Sequence, residues 1–353
     1  MNTFNPVNQG ISEQVPFGVV QHNLENIFPN ASEIGNLWAC DLAENMAVCM
    51  LKYMVAKSKD PDIKPVLQQA LDFSSQRINT MESLFNSIHH PIPEGFGEKD
   101  VDINAPELFS ESFSLAYTRL MNVYIGLKYS MALARSSRQD FRQLFSESIN
   151  TSRDINQKAT DILLAKGLFA KAPHVIIPDR TEIVDNKNYY GSIFGGKRPL
   201  NALEISHLFH NMEVKLLLST LKLGFSQVVK SKKIKKYMYD GSVMHKEQAS
   251  DLSKFLVEEN LPACIPFDFH ITDSKHSPFS DKLMLAHSTV VTAFCLIEVG
   301  FGLTNSARKD IIAILTNITA SILADSKDGT DLMIENGWLE RVPETANRRK
   351  LIQ

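Results

Sequence analysis

The sequence predicts an all-α protein made of two tandem four-helix bundles, and three observations carry this prediction. Long segments place apolar residues three and four positions apart, which is the spacing of one helix face. Prolines and glycines gather between these segments and mark helix ends. Residues of several types also recur at one fixed offset of 170 positions: Arg138 and Arg308, Asp140 and Asp310, Thr160 and Thr330, Gly167 and Gly337, Pro173 and Pro343. The chain is therefore two copies of one long helical unit.

The first copy is expected to hold four helices. They are predicted to run from Ser32 to Asp60, Ile63 to Ile88, Pro106 to Ala134 and Arg138 to Lys166. Residues 89–105 are too rich in proline and glycine for a helix and too many for a tight turn. One long crossover between the second and third helices is the ferritin-like connection, so we expect ferritin-like bundles.

The second copy repeats this scheme. Its helices are predicted at Ala202–Val229, Ile234–Glu259, Phe279–Leu303 and Ser306–Asn336, and Glu204-Ile205 repeats Glu33-Ile34 at an offset of 171. Ser277-Pro278 is expected to start the third helix as a cap followed by proline. The predicted organisation is a loose arm (1–30), a first bundle (31–173), a linker (174–200) and a second bundle (201–353).

Composition excludes several functional classes. A formal net charge of −3 argues against a nucleic-acid-binding protein, which usually has a basic face. The four cysteines form no C-x-x-C pair and indicate a reducing, cytoplasmic setting. No signal peptide is expected at the N-terminus. The apolar stretch Leu283–Leu303 is interrupted by His287 and Glu298, so we expect a central bundle helix and no membrane span.

Four histidines are candidate metal ligands. Ferritin-like bundles that hold two metals use glutamates and Glu-x-x-His motifs on facing helices. The chain has one such motif, Glu204 to His207, with His210 a turn further on; His245 and His287 lie on the second and third helices of that copy. The four-carboxylate signature is missing, so we expect buried, hydrogen-bonded histidines, no cofactor and no catalytic residue. The alternative is one transition metal such as zinc or iron.

Several short stretches carry a resemblance to a known family. They are Leu37-Trp38, Pro93–Phe96, Ala105–Phe109, Gly224–Val228, Pro278–Lys282 and Gly337–Glu340. They resemble domain-of-unknown-function family 3231 of spore-forming bacilli, over about residues 30–350. The resemblance implies tandem ferritin-like bundles, and some members are described as putative spore coat proteins. It implies no catalytic residues.

These observations favour a non-catalytic structural or interaction protein that is associated with the spore. Its expected partners are itself or other spore proteins, contacted through apolar helix faces, because the first helix of the second copy is apolar on two sides. One alternative is a metal-binding or oxidase protein with a single site in the second bundle. Another alternative is a carrier of a small apolar ligand within a bundle core. Fold alone does not decide among the three.

Overall fold

The protein is all-α, as predicted. The computed structural model describes Leu24 and residues 27–193, 195–263 and 271–352, so the predicted N-terminal arm lies almost entirely outside the described residues. The first copy contains α1 (Ala31–Lys57), α2 (Ile63–Ser87), α3 (Glu111–Ala134) and α4 (Gln139–Ala165). The second contains α5 (Ala202–Val228), α6 (Lys232–Glu258), α7 (Asp281–Asn305) and α8 (Lys309–Glu335), followed by the short α9 (Arg348–Leu351).

Each copy packs its helices in the same way. A short loop joins the first helix to the second and the third to the fourth, and a long crossover joins the second to the third. In the first copy α1 packs on α2, α3 on α4, and α2 on α4; the second copy repeats these contacts. The most apolar helix, α7, is long enough and apolar enough to cross a membrane. However, 67% of its most apolar 18-residue segment is buried inside the protein.

The third helix of each copy starts later than predicted. The first of them starts at Glu111 instead of Pro106, and the second starts at Asp281 instead of Phe279. Ser110 and Ser280 are the caps, and their side-chain oxygens accept from backbone N–H groups three residues on. The residues before these caps stay extended because their backbones pair with the other copy: Val101 with Phe279 and Phe109 with Ile271.

The two copies meet through reciprocal contacts. The N–H of Asp102 donates to the Pro278 carbonyl at 2.8 Å, and the N–H of Thr272 donates to the Leu108 carbonyl at 3.0 Å. Asp102 is equivalent to Thr272 and Leu108 is equivalent to Pro278, so each copy makes the same hydrogen bond to the other. Helix α1 likewise touches α7, as α5 touches α3. Reciprocity of this kind is what a twofold arrangement of two similar units produces.

The repeated charged residues form the same clasp in both copies. Glu33 accepts hydrogen bonds from the backbone N–H groups of Ser137 and Arg138, at 2.7 and 2.8 Å. Glu204 accepts from those of Ala307 and Arg308, at 3.1 Å each. Each glutamate thus ties the turn between the third and fourth helices to the start of the first helix. The residues that repeat in the sequence therefore form the same stabilising contact in both copies.

Candidate functional site

His207 and His210 lie on the side of α5 that faces α7 and the sister bundle. His210 Nδ1 is 3.0 Å from Glu213 Oε2, and its Nε2 is 3.4 Å from Glu298 Oε2 on α7. Burial lowers the pKa of His210, but the hydrogen bond to Glu213 and the charge of Glu298 outweigh it and hold the pKa above its usual value. Glu213 also pairs with Arg119 of α3. His210 is therefore part of an ionic contact between the two bundles.

His287 lies far from His210, at the contact between the copies. Its Nε2 is 2.7 Å from the hydroxyl oxygen of Tyr117, the equivalent residue of the first copy. Burial alone lowers the pKa of His287 to about 4, so the ring is neutral near pH 7. Along α7, Glu298 follows His287 by eleven residues, or about 16 Å at 1.5 Å per residue. The two histidines therefore cannot share one metal ion.

His245 occupies a third place, inside the second bundle. Both ring nitrogens are buried, and the side chain of Gln248 lies close enough to interact with the ring. Burial and the nearby ammonium groups of Lys222 and Lys215 lower its pKa well below the usual value. The structure thus does not bring the four candidate histidines together. In the part of the chain that the structure describes, no three His, Cys, Asp or Glu side chains are grouped to hold a metal.

Glu204 of the Glu-x-x-His motif is engaged elsewhere. Its carboxylate accepts from both terminal nitrogens of Arg198, at 2.7 and 2.8 Å, as well as from the clasp described above. Glu33 fills the same position in the first copy without any histidine three residues later. Glu204 of this motif is therefore part of a helix cap. The expectation of less than one tightly bound metal ion per chain remains a prediction.

Both bundles bury charged groups at equivalent positions, but with different chemistry. In the first bundle Arg77 Nη1 donates to Glu44 Oε1 at 2.9 Å. In the second, the corresponding residues are Lys215 and Gln248, and Lys215 Nζ donates to Gln248 Oε1 at 2.9 Å. Burial lowers the pKa of Lys215. The clasps repeat between the copies, whereas the bundle interiors have diverged.

A cavity of about 60 Å³ lies between α1, α2 and α3 of the first bundle and α7 of the second. Its wall is mostly apolar and includes Met46 and Met121, with the Glu44 and Arg77 pair also lining it. On α1 the wall includes two small residues, Ala43 and Ala47. Because α1 and α5 start at equivalent residues, the second copy has Val214 and Leu218 at these positions, both fully or almost fully buried. Larger side chains therefore occupy the corresponding space in the second bundle.

A groove of about 220 Å³ adjoins this cavity and runs between the two bundles. The cavity and the groove share wall residues on α1, α3 and α7: Ala43, Met46, Tyr124, Ile125 and Val290. Phe96, Trp338 and Leu339 line the outer part of the groove. Glu340 fixes the segment that contains Trp338 and Leu339, because its carboxylate accepts hydrogen bonds from the N–H groups of Glu94 and Gly95 at 2.9 Å each. The two spaces together suit an elongated, largely apolar molecule.

Sequence reasoning missed this site for an identifiable reason. Histidines and short motifs are the usual sequence signals of a site, whereas this cavity lies beside two alanines of α1. A signal was nevertheless present in the repeat. Aligning the first helices of the copies sets Ala43 against Val214 and Ala47 against Leu218, and a large-to-small difference at core positions indicates extra space.

Comparisons with known proteins identify the family and no function. The model of the family described as "Protein of unknown function (DUF3231)" matches the chain twice, at residues 22–180 and 189–351. No curated protein and no solved structure matches the chain. Kinship with ferritins therefore stays a prediction. The two matches cover nearly the whole chain and coincide with the internal repeat, so this protein belongs to the DUF3231 family with two tandem copies of the family unit.

Proposed function

We propose that this protein is a non-enzymatic carrier that holds a small, largely apolar molecule in its first bundle. One observation supports this most strongly: a cavity is open where α1 has Ala43 and Ala47, and the second bundle has Val214 and Leu218 instead. Protein interiors are normally close-packed, and a void destabilises the fold in proportion to its volume. A bound apolar ligand would restore the lost contacts.

The titratable groups around the cavity support binding over catalysis. Glu44 is paired with Arg77 and also accepts a hydrogen bond from Tyr129, so its charge is already compensated. Tyr117 and His287 bond to each other, and burial raises the pKa of the tyrosine and lowers that of the histidine. Both therefore stay uncharged near neutral pH. A paired ion and a neutral hydrogen-bonded pair favour positioning of a ligand.

Filling the cavity should weaken ligand binding. Ala47→Leu places in the first bundle the residue that the second bundle has, and we expect it to weaken binding of n-hexanol at least about tenfold, because about one leucine side chain of space is lost. Titration calorimetry measures the affinity. Ala56→Leu is the matched control, since Ala56 is exposed on the same helix. Unchanged affinity in Ala47→Leu would count against this site.

A second candidate role is interaction with other proteins through the linker. Among the described residues of the linker, five apolar side chains are half-exposed or more: Val175, Ile176, Ile177, Ile183 and Val184. Such a concentration of exposed apolar residues is typical of contact segments. We expect serine at positions 176, 177 and 183 to reduce any concentration-dependent self-association in sedimentation velocity. Unaltered association would assign it to other surfaces.

Association with the spore is part of this second candidate role, and the protein would be cytoplasmic before it joins the spore. Its support is the resemblance to family members described as spore coat proteins. Fractionation of spores and vegetative cells tests it directly. The carrier role does not depend on the outcome, because it rests on the cavity beside α1.

A further inference from the structure

We propose that the ligand of the first bundle carries an uncharged group that both donates and accepts a hydrogen bond, a hydroxyl in the simplest case, and that this group meets Glu44 and Arg77. The proposal rests on the proposed function and specifies its ligand class. It places the hydroxyl in the cavity and the apolar body of the ligand in the groove between the bundles.

Glu44 supplies the acceptor. Its Oε1 is used twice, by Arg77 Nη1 at 2.9 Å and by the Tyr129 hydroxyl. Its Oε2 accepts no hydrogen bond from the described residues, although only 2% of the residue is exposed and it lines the cavity. Glu44 is almost fully buried, so little bulk water reaches this oxygen. A ligand that donates to Oε2 would supply the missing hydrogen bond.

Arg77 supplies the donor. Its Nη2 donates to Thr151 Oγ1 at 2.7 Å and Ser152 Oγ at 3.2 Å. Its Nε is buried and has no hydrogen-bond acceptor among the described residues. Arg77 also lines the cavity. Among the residues that line the cavity, Glu44 and Arg77 thus leave one acceptor and one donor unused, which is the complement of a hydroxyl group.

The charges of this pair exclude an ionic ligand group. Glu44 and Arg77 neutralise each other, and both side chains are almost fully buried. An ammonium group would stand uncompensated beside the guanidinium, and a carboxylate would stand uncompensated beside Glu44. Lys128 and Glu340 line the groove rather than the cavity, so they do not balance a charge at the inner end. The inner ligand group is therefore neutral.

Water is the competing occupant of the cavity. A volume of about 60 Å³ could hold a few water molecules at roughly 10–15 Å³ each. Water needs several polar partners, and apolar side chains such as Met46, Met121 and Val290 form much of the wall. A ligand with one hydroxyl and an apolar body matches that division better, because its body contacts the apolar wall and the apolar groove.

Four probes of equal chain length test the proposal on the unaltered protein. They are n-hexanol, its isomer methyl pentyl ether, hexylamine and hexanoate, each titrated by calorimetry at pH 7. We expect n-hexanol to bind at least about tenfold more tightly than the other three, because only it donates without carrying a charge. Equal affinities for the alcohol and the ether would overturn the proposed ligand class and leave the carrier role standing. No binding of any probe would overturn both.

A variant should remove most of the expected preference. Glu44→Gln keeps an acceptor for Arg77 and places an amide donor where Oε2 was. The affinity for methyl pentyl ether relative to that for n-hexanol should therefore rise about tenfold. Glu213→Gln is the matched control, because Glu213 is also buried and paired with an arginine but does not line the cavity. The same change of preference in both variants, or in neither, would contradict the assignment to Glu44.

Discussion

Replacing Asp325 with alanine is expected to lower the free energy of unfolding by about 3–5 kcal/mol. Lys222 Nζ lies 2.6 Å from Asp325 Oδ2, and both side chains are almost fully buried. Removing the carboxylate leaves an ammonium group without a counterion inside the second bundle. Burial already lowers the pKa of Lys222, so loss of its proton limits the damage. Urea unfolding at pH 7 measures the difference.

The first bundle supplies the control for this experiment. It has Leu51 and Ile155 at the positions equivalent to Lys222 and Asp325, and both are buried. The double variant Lys222→Leu, Asp325→Ile should therefore recover most of the lost stability, as apolar replacements of buried ion pairs commonly do. A double variant as unstable as Asp325→Ala would show that the uncompensated lysine is not the cause.

The Glu204→Ala variant is expected to lose about 3–4 kcal/mol, because it opens the clasp of the second bundle. The backbone N–H groups of Ala307 and Arg308 lose their acceptor, and so does the guanidinium of Arg198. An unsatisfied buried donor costs about 1–3 kcal/mol, and two N–H groups account for most of the loss. Thermal and urea unfolding of the variant test this.

The clasp should also make stability depend on pH. Burial raises the pKa of Glu204, but hydrogen bonds from Arg198 and the backbone outweigh it and hold the pKa below the unfolded value of 4.5. Its contribution is therefore present above pH 4.5 and lost as the pH falls through the lower folded value. Glu204→Gln should show a smaller loss on acidification than the unaltered protein. Parallel acid profiles would argue against the clasp as a source of this dependence.

The sequence predicts the helices well because their signals are local. Apolar spacing and residues such as Gly167 and Gly337, which take positive φ after α4 and α8, mark helix bodies and ends within a few positions. The predicted starts of α3 and α7 were five and two residues too early (106 against 111, and 279 against 281). The reason is that Phe109 and Phe279 pair with the crossover of the other copy. That pairing joins segments far apart in the chain, and no local pattern encodes it.

The candidate site was harder to predict than the fold. Helical periodicity assigns His210 and His287 to faces, but it does not say which neighbour each face meets. His210 is hydrogen-bonded to Glu213 and forms an ion pair with Glu298, whereas His287 is hydrogen-bonded to Tyr117. The cavity depends on Ala43 and Ala47, whose importance appears only when the two copies are compared. The proposed function therefore rests on differences between the copies, whereas the architecture was predicted from what they share.

Methyl NMR of methionine tests most directly whether the first bundle alone receives the ligand. Met46 and Met121 line the cavity, whereas Met212 and Met238 are buried in the second bundle. In protein labelled with ¹³C at the methionine methyl groups, added n-hexanol should shift the Met46 and Met121 signals saturably and leave the other two unchanged. Signals of Met238 that shift at the same concentrations, or no saturable shift at Met46 and Met121, would contradict the carrier role.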